Sequence, residues 1–361
     1  MKDNKEKLLV IDLGKAYGGA EKLIENIILG LKDDFDITLA INNYGDFIKK
    51  SDCIKEFKIL AVNNGMKTFI NTIINLVNYV NSENIKIVHC HGTPSNIVGI
   101  ILKKICKVKF ITTIHSDLEY EFQGKKKLVY LKIQQYTVKY ADHIVTVSKD
   151  LSNKFCEKYK KHSNKIQIIY NGMDMDYRGE MSNKNKEFTF LFVGRLVEIK
   201  NVEYLIDGLK YLKDNGKNFI CNIIGEGEQE DSLREYVDEL QLSNNVNFLG
   251  FKDKVCDYMR KSDALIMTSK MEGIPLVVIE AFANKLPVIS SAVGGVVEMI
   301  DDHNNGILYD LGEKDAFKEI LISIVEGKYD LEKIKENAFY SYQTKWSRKR
   351  LLNEYKQVFF N

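Results

Sequence analysis

Proline is the scarcest structural residue here, three in 361, and no segment is rich in proline, serine or glycine. That leaves no room for a proline-rich or disordered linker between folded parts. The six cysteines (53, 90, 106, 156, 221 and 256) are scattered with no C-x-x-C pair, so neither a disulfide framework nor a thiol-based zinc site is expected. Free thiols in a reducing, cytoplasmic setting are the expectation. No uncharged apolar run approaches the roughly eighteen residues that a membrane span needs. The polar start, Met1 to Lys7, followed by the strand-length Leu8-Leu9-Val10-Ile11, does not fit a signal-peptide core.

What is present is ordinary for a globular chain: 45% apolar and 28% charged residues, in a length that suits two domains. The formal net charge of +2 names no partner, but it hides an asymmetry. Residues 1–175 carry 27 Lys+Arg against 19 Asp+Glu, a net of +8, whereas 176–361 carry 25 against 31, a net of −6. The lysines cluster at Lys103-Lys104, Lys107, Lys109, Lys125-Lys126-Lys127 and Lys158 to Lys161. They read either as solvated faces or as a surface for anionic lipid or a phosphate-bearing lipid acceptor.

Short apolar strands alternate with amphipathic helices along the whole chain. Leu8 to Leu13 reads as a strand, then Gly18-Gly19 as a turn, then a helix from about Ala20 with Leu23, Ile24, Ile27, Ile28 and Leu31 at helical spacing. Strands follow at Ile37 to Ile41, Ile85 to His89, Lys109 to Ile114 and His143 to Val147, with helices at Thr68 to Asn81, Ser95 to Lys104 and Lys125 to Tyr140. From Phe188 the pattern restarts, with strands at Thr189 to Val193, Phe219 to Ile224, Val246 to Leu249 and Ala264 to Met267. Such repetition predicts two open, parallel α/β sheets covered on both faces, with ligands met at the carboxyl ends of strands.

Several residues fall at those ends. The Gly18-Gly19 loop suits a tight turn and equally a backbone that touches a ligand; it is neither G-x-G-x-x-G nor a P-loop. In His89-Cys90-His91 the two histidines are expected on opposite faces, which disfavours a metal site, and His115 is the better candidate for a ligand contact. Arg195 and Lys200, between a strand end and a helix start, would suit a diphosphate. Asp174-Met175-Asp176 is formally a D-x-D, but it reads as linker acids at a domain junction. In Lys270 to Glu298, Glu272 and Glu280 flank Gly273 and Pro275 ahead of a helix from Leu276, an anion site with two acids beside it. Arg348-Lys349-Arg350 reads as a solvated face rather than a nucleic-acid site.

Taken together, these motifs resemble the retaining glycosyltransferases of family 4. The carriers are Gly18-Gly19-Ala20-Glu21, Thr112 to His115, Ala141 to Ser148, Asn171 to Asp174, Val193-Gly194-Arg195 with Lys200, and Glu272-Gly273-Ile274-Pro275-Leu276 with Glu280-Ala281. The resemblance implies the GT-B fold, two Rossmann-like doubly wound domains facing across a cleft: an acceptor domain (1–175), a nucleotide-sugar domain (176–340) and a C-terminal helix (341–361) crossing back. It further implies that Arg195 and Lys200 hold the donor diphosphate. Gly194, Gly273 and the amides of Ile274 and Leu276 would adjoin it. Glu272 would orient the transferred sugar, and Glu280 would accept from the ribose. His115 would contact the sugar, Gly18 and Gly19 would approach the ligand, and Gly225, Phe251 and Lys252 would lie near the base.

The implied reaction is metal-independent transfer of a hexose or N-acetylhexosamine from a nucleotide-diphosphate sugar, UDP-linked by preference, to a lipid-linked or surface-polysaccharide acceptor. No cofactor, metal or nucleic acid is expected, and the setting is cytoplasmic with peripheral contact to the inner membrane leaflet. A GT-B-shaped epimerase and a non-catalytic partner subunit are the alternatives. A phosphorylase would need a much longer chain, and an oxidoreductase lacks its fingerprint. Acceptor pockets are expected in the loops Asn42 to Asn64 and Asp117 to Lys127.

Overall fold

Parallel strands cannot be joined by tight hairpins, so each needs a crossover long enough to carry a helix. The chain supplies this alternation throughout. The computed structural model describes residues 5–62, 68–121, 124–174 and 187–360. The chain divides into two compact units, residues 1–173 with 348–361, and residues 174–347.

The first unit holds seven strands: β1 (Glu6–Asp12), β2 (Phe35–Asn42), β3 (Lys58–Val62), β4 (Ile87–His91), β5 (Lys109–Ile114), β6 (His143–Thr146) and β7 (Ile166–Ile168). Their order is β3-β2-β1-β4-β5-β6-β7, and every pairing is parallel. The second unit holds β8 (Phe188–Val193), β9 (Phe219–Ile224), β10 (Val246–Phe248), β11 (Ala264–Met267), β12 (Val288–Ser291) and β13 (Ile307–Tyr309), in the order β10-β9-β8-β11-β12-β13, again all parallel. Helices cover these strands, so the strands are apolar runs rather than alternating ones: Leu8 to Ile11 and Ala264 to Ile266 are buried throughout.

In each sheet the strand order reverses once, between β1 and β4 and between β8 and β11. The loops diverge there, and a crevice opens at the carboxyl ends of the strands.

One local device recurs in both units. Asp142, just before β6, donates its N–H to the Phe110 carbonyl and accepts the Phe110 N–H on its carboxylate, both at 2.8 Å. Asp263, just before β11, does the same to Thr189, again at 2.8 Å each way. The carboxylate stands in for a carbonyl that the ladder lacks. Asp142 is also paired with Lys103. Ser148, in the same motif, caps the helix Lys149–Lys158 by accepting from Leu151 N–H at 3.1 Å.

The helix Leu331–Lys345 stays with the second unit, while Arg348–Phe360 packs in the first. Leu351, Tyr355, Val358 and Phe359 are its buried side, and Phe359 meets Phe35 edge-on at 5.6 Å. Lys109 Nζ donates to the Val358 and Phe359 carbonyls at 2.7 and 3.0 Å, which satisfies groups left open at a helix end. Arg350 is no solvated face: its Nη2 donates to the carbonyls of Tyr170 and Asn171 at 2.7 and 2.8 Å, while its neighbour Lys349 is exposed.

Some elements differ from expectation. The span Asn42 to Asn64, expected as an acceptor loop, holds the helix Asp46–Lys50 and the edge strand β3 in its described part. β4 runs to His91, two residues beyond the expected end at His89. The D-x-D lies largely outside the described residues, as do the last residues of the Asn42 to Asn64 span.

Tight helix-to-sheet contact gives one test. A methyl added at Gly99 would lie 2.3 Å from the Phe110 ring and 2.8 Å from Cys90 Sγ. Gly99→Val should therefore destabilise the first unit by about 2 kcal/mol or more through overpacking. Chemical denaturation would measure this, and an unchanged midpoint would show that helix and sheet are not locked at this point.

Candidate active site

In the second unit the loops after β8 and β11 are stitched across the order reversal. Thr268 Oγ1 donates to the Lys200 carbonyl at 3.0 Å, and Lys270 N–H to the Ile199 carbonyl at 2.8 Å. The backbone contacts bring two side chains together: Lys200 Nζ lies 2.5 Å from Glu272 Oε1, with the side chains 21% and 10% exposed. Ser269 Oγ donates to the same carboxylate oxygen at 2.6 Å, and Ser269's own carbonyl is held by Ser291 Oγ at 2.7 Å. An ammonium carries three protons, so the bond to Glu272 leaves two for another partner.

The remaining expected residues of the unit lie on the loops after β8, β9, β10 and β11 and on the helix that follows Pro275. Arg195 is exposed and, among the described residues, makes no ion pair. Pro275 precedes the helix Leu276–Ala283, whose first N–H groups have no intrahelical acceptor. Glu280 lies inside that helix and is only 5% exposed, so it is a buried carboxylate rather than one displayed at a rim.

Two kinds of glycine can be told apart here. Gly225 (φ +138°) must be glycine, because a Cβ would lie 1.9 Å from the Gly194 carbonyl oxygen. Gly194 has no such need, since its nearest side-chain contacts would be ordinary ones at 3.5 Å and beyond. Phe251 N–H faces Glu226 Oε1 at 3.4 Å, next to Gly225, whose N–H bonds the Gly250 carbonyl.

The first unit gathers a different set. Gly18 precedes the helix Gly19–Leu31, and its N–H donates to Glu21 at 2.7 Å, so Glu21 of the Gly-Gly-Ala-Glu motif caps the helix. A Cβ on Gly19 would meet no atom of the described residues within 4 Å. At the end of β1, Asp12 is 5% exposed and accepts from Gly14 N–H at 3.3 Å, with Oδ2 unpartnered among the described residues. Burial, followed by repulsion from Glu21, holds its carboxyl protonated well above the usual range.

Behind His115 lies a buried imidazole row. His91 Nδ1 is 2.9 Å from His115 Nε2, and the rings of His89 and His91 are 4.1 Å apart. His89 and His91 therefore share a face, contrary to expectation, because a strand alternates with period two and residues i and i+2 point the same way. His89 Nε2 bonds Thr113 Oγ1 at 2.8 Å, which in turn meets Tyr355 OH at 3.0 Å. Among the described residues no group of three or more His, Cys, Asp or Glu side chains could hold a metal, and no helix is long and apolar enough to cross a membrane.

Sequence inspection missed Ser269, Asp12 and Gly294, and it weighed His91 only as a strand-end or metal candidate. Gly294 (φ +51°) would place a Cβ 2.0 Å from the Glu272 carbonyl oxygen, and Gly295 N–H bonds that oxygen at 3.0 Å. The pair Gly294-Gly295 after a strand was the available signal; its contact with Glu272 was not.

Two doubly wound parallel sheets in one chain, each with polar loops at the strand ends, define the GT-B class of glycosyltransferases. A solved structure of Anabaena HepE in complex with UDP-glucose has this fold, matching 98% of each chain with a TM-score of 0.86 at 20% identity. The model described as Glycosyl transferases group 1 matches residues 175–340, and Glycosyltransferase Family 4 matches 17–177. An uncharacterized glycosyltransferase of Methanocaldococcus jannaschii, MJ1178, is 30% identical over 325 residues, 89% of this chain and 88% of that protein. The Escherichia coli UDP-Gal:alpha-D-GlcNAc-diphosphoundecaprenol alpha-1,3-galactosyltransferase is 24% identical over 90% of this chain and 89% of its own. The chain belongs to the group 1, family 4 glycosyltransferases and is a glycosyltransferase enzyme.

The imidazole row predicts acid sensitivity of the first unit. Burial lowers His89 to about 3 and His115 to about 4, and lowers His91 well below 6.5. Below pH 6.5 the unfolded chain takes up protons that these neutral rings do not, so stability is full above that value and falls as pH drops toward 4. Each ring contributes up to about 1.4 kcal/mol per pH unit, while Asp12, with a raised pKa, opposes by one group. Hydrogen exchange of β4 and β5 amides should accelerate steeply from pH 6.5 to 5 after correction for intrinsic rates. A pH-independent opening free energy would rule out a neutral, buried row.

Proposed function

We propose that this enzyme is a retaining transferase moving a hexose or N-acetylhexosamine from a UDP-sugar to a lipid-linked or surface-polysaccharide acceptor. The observation that carries this is the Lys200–Glu272 pair astride the strand-order reversal of the second sheet, with exposed Arg195 on the same loop as Lys200. Two cations, one already committed to a carboxylate, suit a diphosphate beside a sugar. The cations take the charge that leaves with the phosphate, and Glu272 takes the sugar hydroxyls.

In that arrangement the sugar's anomeric carbon loses its bond to the diphosphate oxygen and gains one to the acceptor oxygen on the same face. The acceptor proton passes to the departing phosphate. Arg195, Lys200 and the first amides of the helix Leu276–Ala283, Ile274 and Gly273 beside them, stabilise the leaving group without a metal or cofactor. Glu280 receives the ribose, Gly225 and Phe251 adjoin the base, and His115 contacts the sugar. Gly18, Gly19 and Gly194 allow backbone approach. Among the described residues nothing demands glycine at 19 or 194, which supports an incoming ligand as the reason for a missing side chain there.

For the donor, support comes from the printed names: HepE was solved with UDP and with UDP-glucose, and the E. coli relative is named for UDP-Gal and a diphosphoundecaprenol acceptor. For the acceptor side, the helix Gly124–Tyr140 carries five lysines and no acid. Lys125, Leu128, Val129, Lys132, Tyr136 and Lys139 form one stripe at helical spacing, with Leu128 69%, Val129 57% and Tyr136 48% exposed. Apolar groups between lysines suit peripheral contact with an anionic leaflet.

Arg195→Ala should lower transfer by at least about 100-fold while the unfolding free energy stays within about 0.5 kcal/mol. Glu280 is buried, so Glu280→Gln is the fair test of the ribose contact, and it should weaken donor binding. UDP-sugars should raise the melting temperature more than GDP- or ADP-sugars. Unchanged turnover in Arg195→Ala, or equal negligible shifts from all three nucleotides, would remove the donor-site assignment.

Vesicle flotation tests the leaflet contact. Binding to vesicles containing phosphatidylglycerol should fall in Leu128→Ser/Val129→Ser and vanish with pure phosphatidylcholine, and equal binding to both vesicle types would exclude it.

A further inference from the structure

We infer that His91 is a positioning residue that sets which ring nitrogen of His115 carries the proton, so that His115 meets its ligand as an Nδ1–H donor. This rests on the proposal that His115 contacts the sugar, and it concerns a residue to which that proposal gives no role.

Hydrogen-bond bookkeeping carries it. His91 is 1% exposed at the end of β4, and its Nε2 has no partner among the described residues. Its Nδ1 lies 2.9 Å from His115 Nε2. Burial keeps both rings neutral at physiological pH, so each carries one proton, and one ring must donate while the other accepts. If His115 donated from Nε2, the single proton of His91 would sit on Nε2, a buried N–H with nothing to receive it. A bare buried nitrogen lone pair is the lesser penalty, because orphaned N–H groups are the rarer defect in folded proteins. His91 therefore carries its proton on Nδ1 and gives it to His115 Nε2, and the proton of His115 is left on Nδ1.

The same bookkeeping fixes the ring behind. His89 Nδ1 is unpartnered and buried, so His89 donates from Nε2 to Thr113 Oγ1. Thr113 then meets Tyr355 of the C-terminal helix, and the His89 ring packs 4.1 Å from His91. His91 is thus clamped between His89 and His115. An Nδ1–H donor selects a ligand atom that can accept, such as a hydroxyl, ring, phosphate or N-acetyl oxygen.

The test uses the full chain labelled with ¹⁵N-histidine and long-range ¹H–¹⁵N spectra at neutral pH. With six histidines in the chain, His91→Asn and His115→Gln suffice to assign the two rings. His115 should show a protonated Nδ1 and a bare Nε2. In His91→Asn, whose side-chain amide can donate from nearly the same place, the tautomer should persist; in His91→Leu it should become mixed or invert. Donor KM should rise by up to about tenfold in His91→Leu, with little further rise when His115→Ala is added. A wild-type His115 protonated on Nε2 overturns the inference, whatever the variants do, and so does a tautomer unchanged in His91→Leu. Should His115→Ala leave the donor KM unaltered while the tautomer follows His91, the sugar contact fails and the positioning stands.

Discussion

The second unit depends on a charge pair that the backbone has arranged in advance. Lys200 and Glu272 meet at 2.5 Å because the loops that carry them are already bonded through Thr268 to the Lys200 carbonyl and through Lys270 to the Ile199 carbonyl. Gly294 and Gly295 then press against the Glu272 main chain from the loop after β12. Three loops converge on one residue, two of them on its carboxylate and the third on its main-chain carbonyl. A parallel sheet makes this possible, since all its strands deliver their carboxyl ends to one edge, and the order reversal separates the neighbouring loops enough to leave a crevice.

The first unit solves a different problem, that of keeping polar groups inside an apolar sheet. Asp12, His89, His91 and Thr113 are all buried near the ends of their strands. Each imidazole bonds another ring or a hydroxyl through one nitrogen, and burial pushes the Asp12 carboxyl up to about 7. Such groups are costly unless bonded, and the histidines among them form a row that ends at His115. The final helix contributes Tyr355 to the same row and is itself tied down by Lys109 and Arg350.

Much of the family pattern turns out to be scaffolding. Asp142 completes a strand pairing, Ser148 and Glu21 cap helices, and the Tyr170 and Asn171 carbonyls beside Asn171-Gly172 receive Arg350. The family pattern therefore includes residues that build the units as well as residues proposed to meet substrate. Gly19 and Gly194 stand on the other side of that division, because no contact among the described residues requires glycine there.

Strand-and-helix alternation and the two parallel sheets were legible along the chain, because hydrophobic period and turn chemistry are local. Edge strand β3, with its mixed exposure, carried too weak a pattern to see. The pairing of residues 200 and 272, the packing of Gly294 on Glu272 and the burial of Glu280 were settled by tertiary structure alone. So was the imidazole row, which joins residues 89, 91 and 115 to Tyr355. Each of these depends on which strands become neighbours, and that is decided by burying both faces of a sheet, a condition on the whole unit that no short stretch of sequence contains.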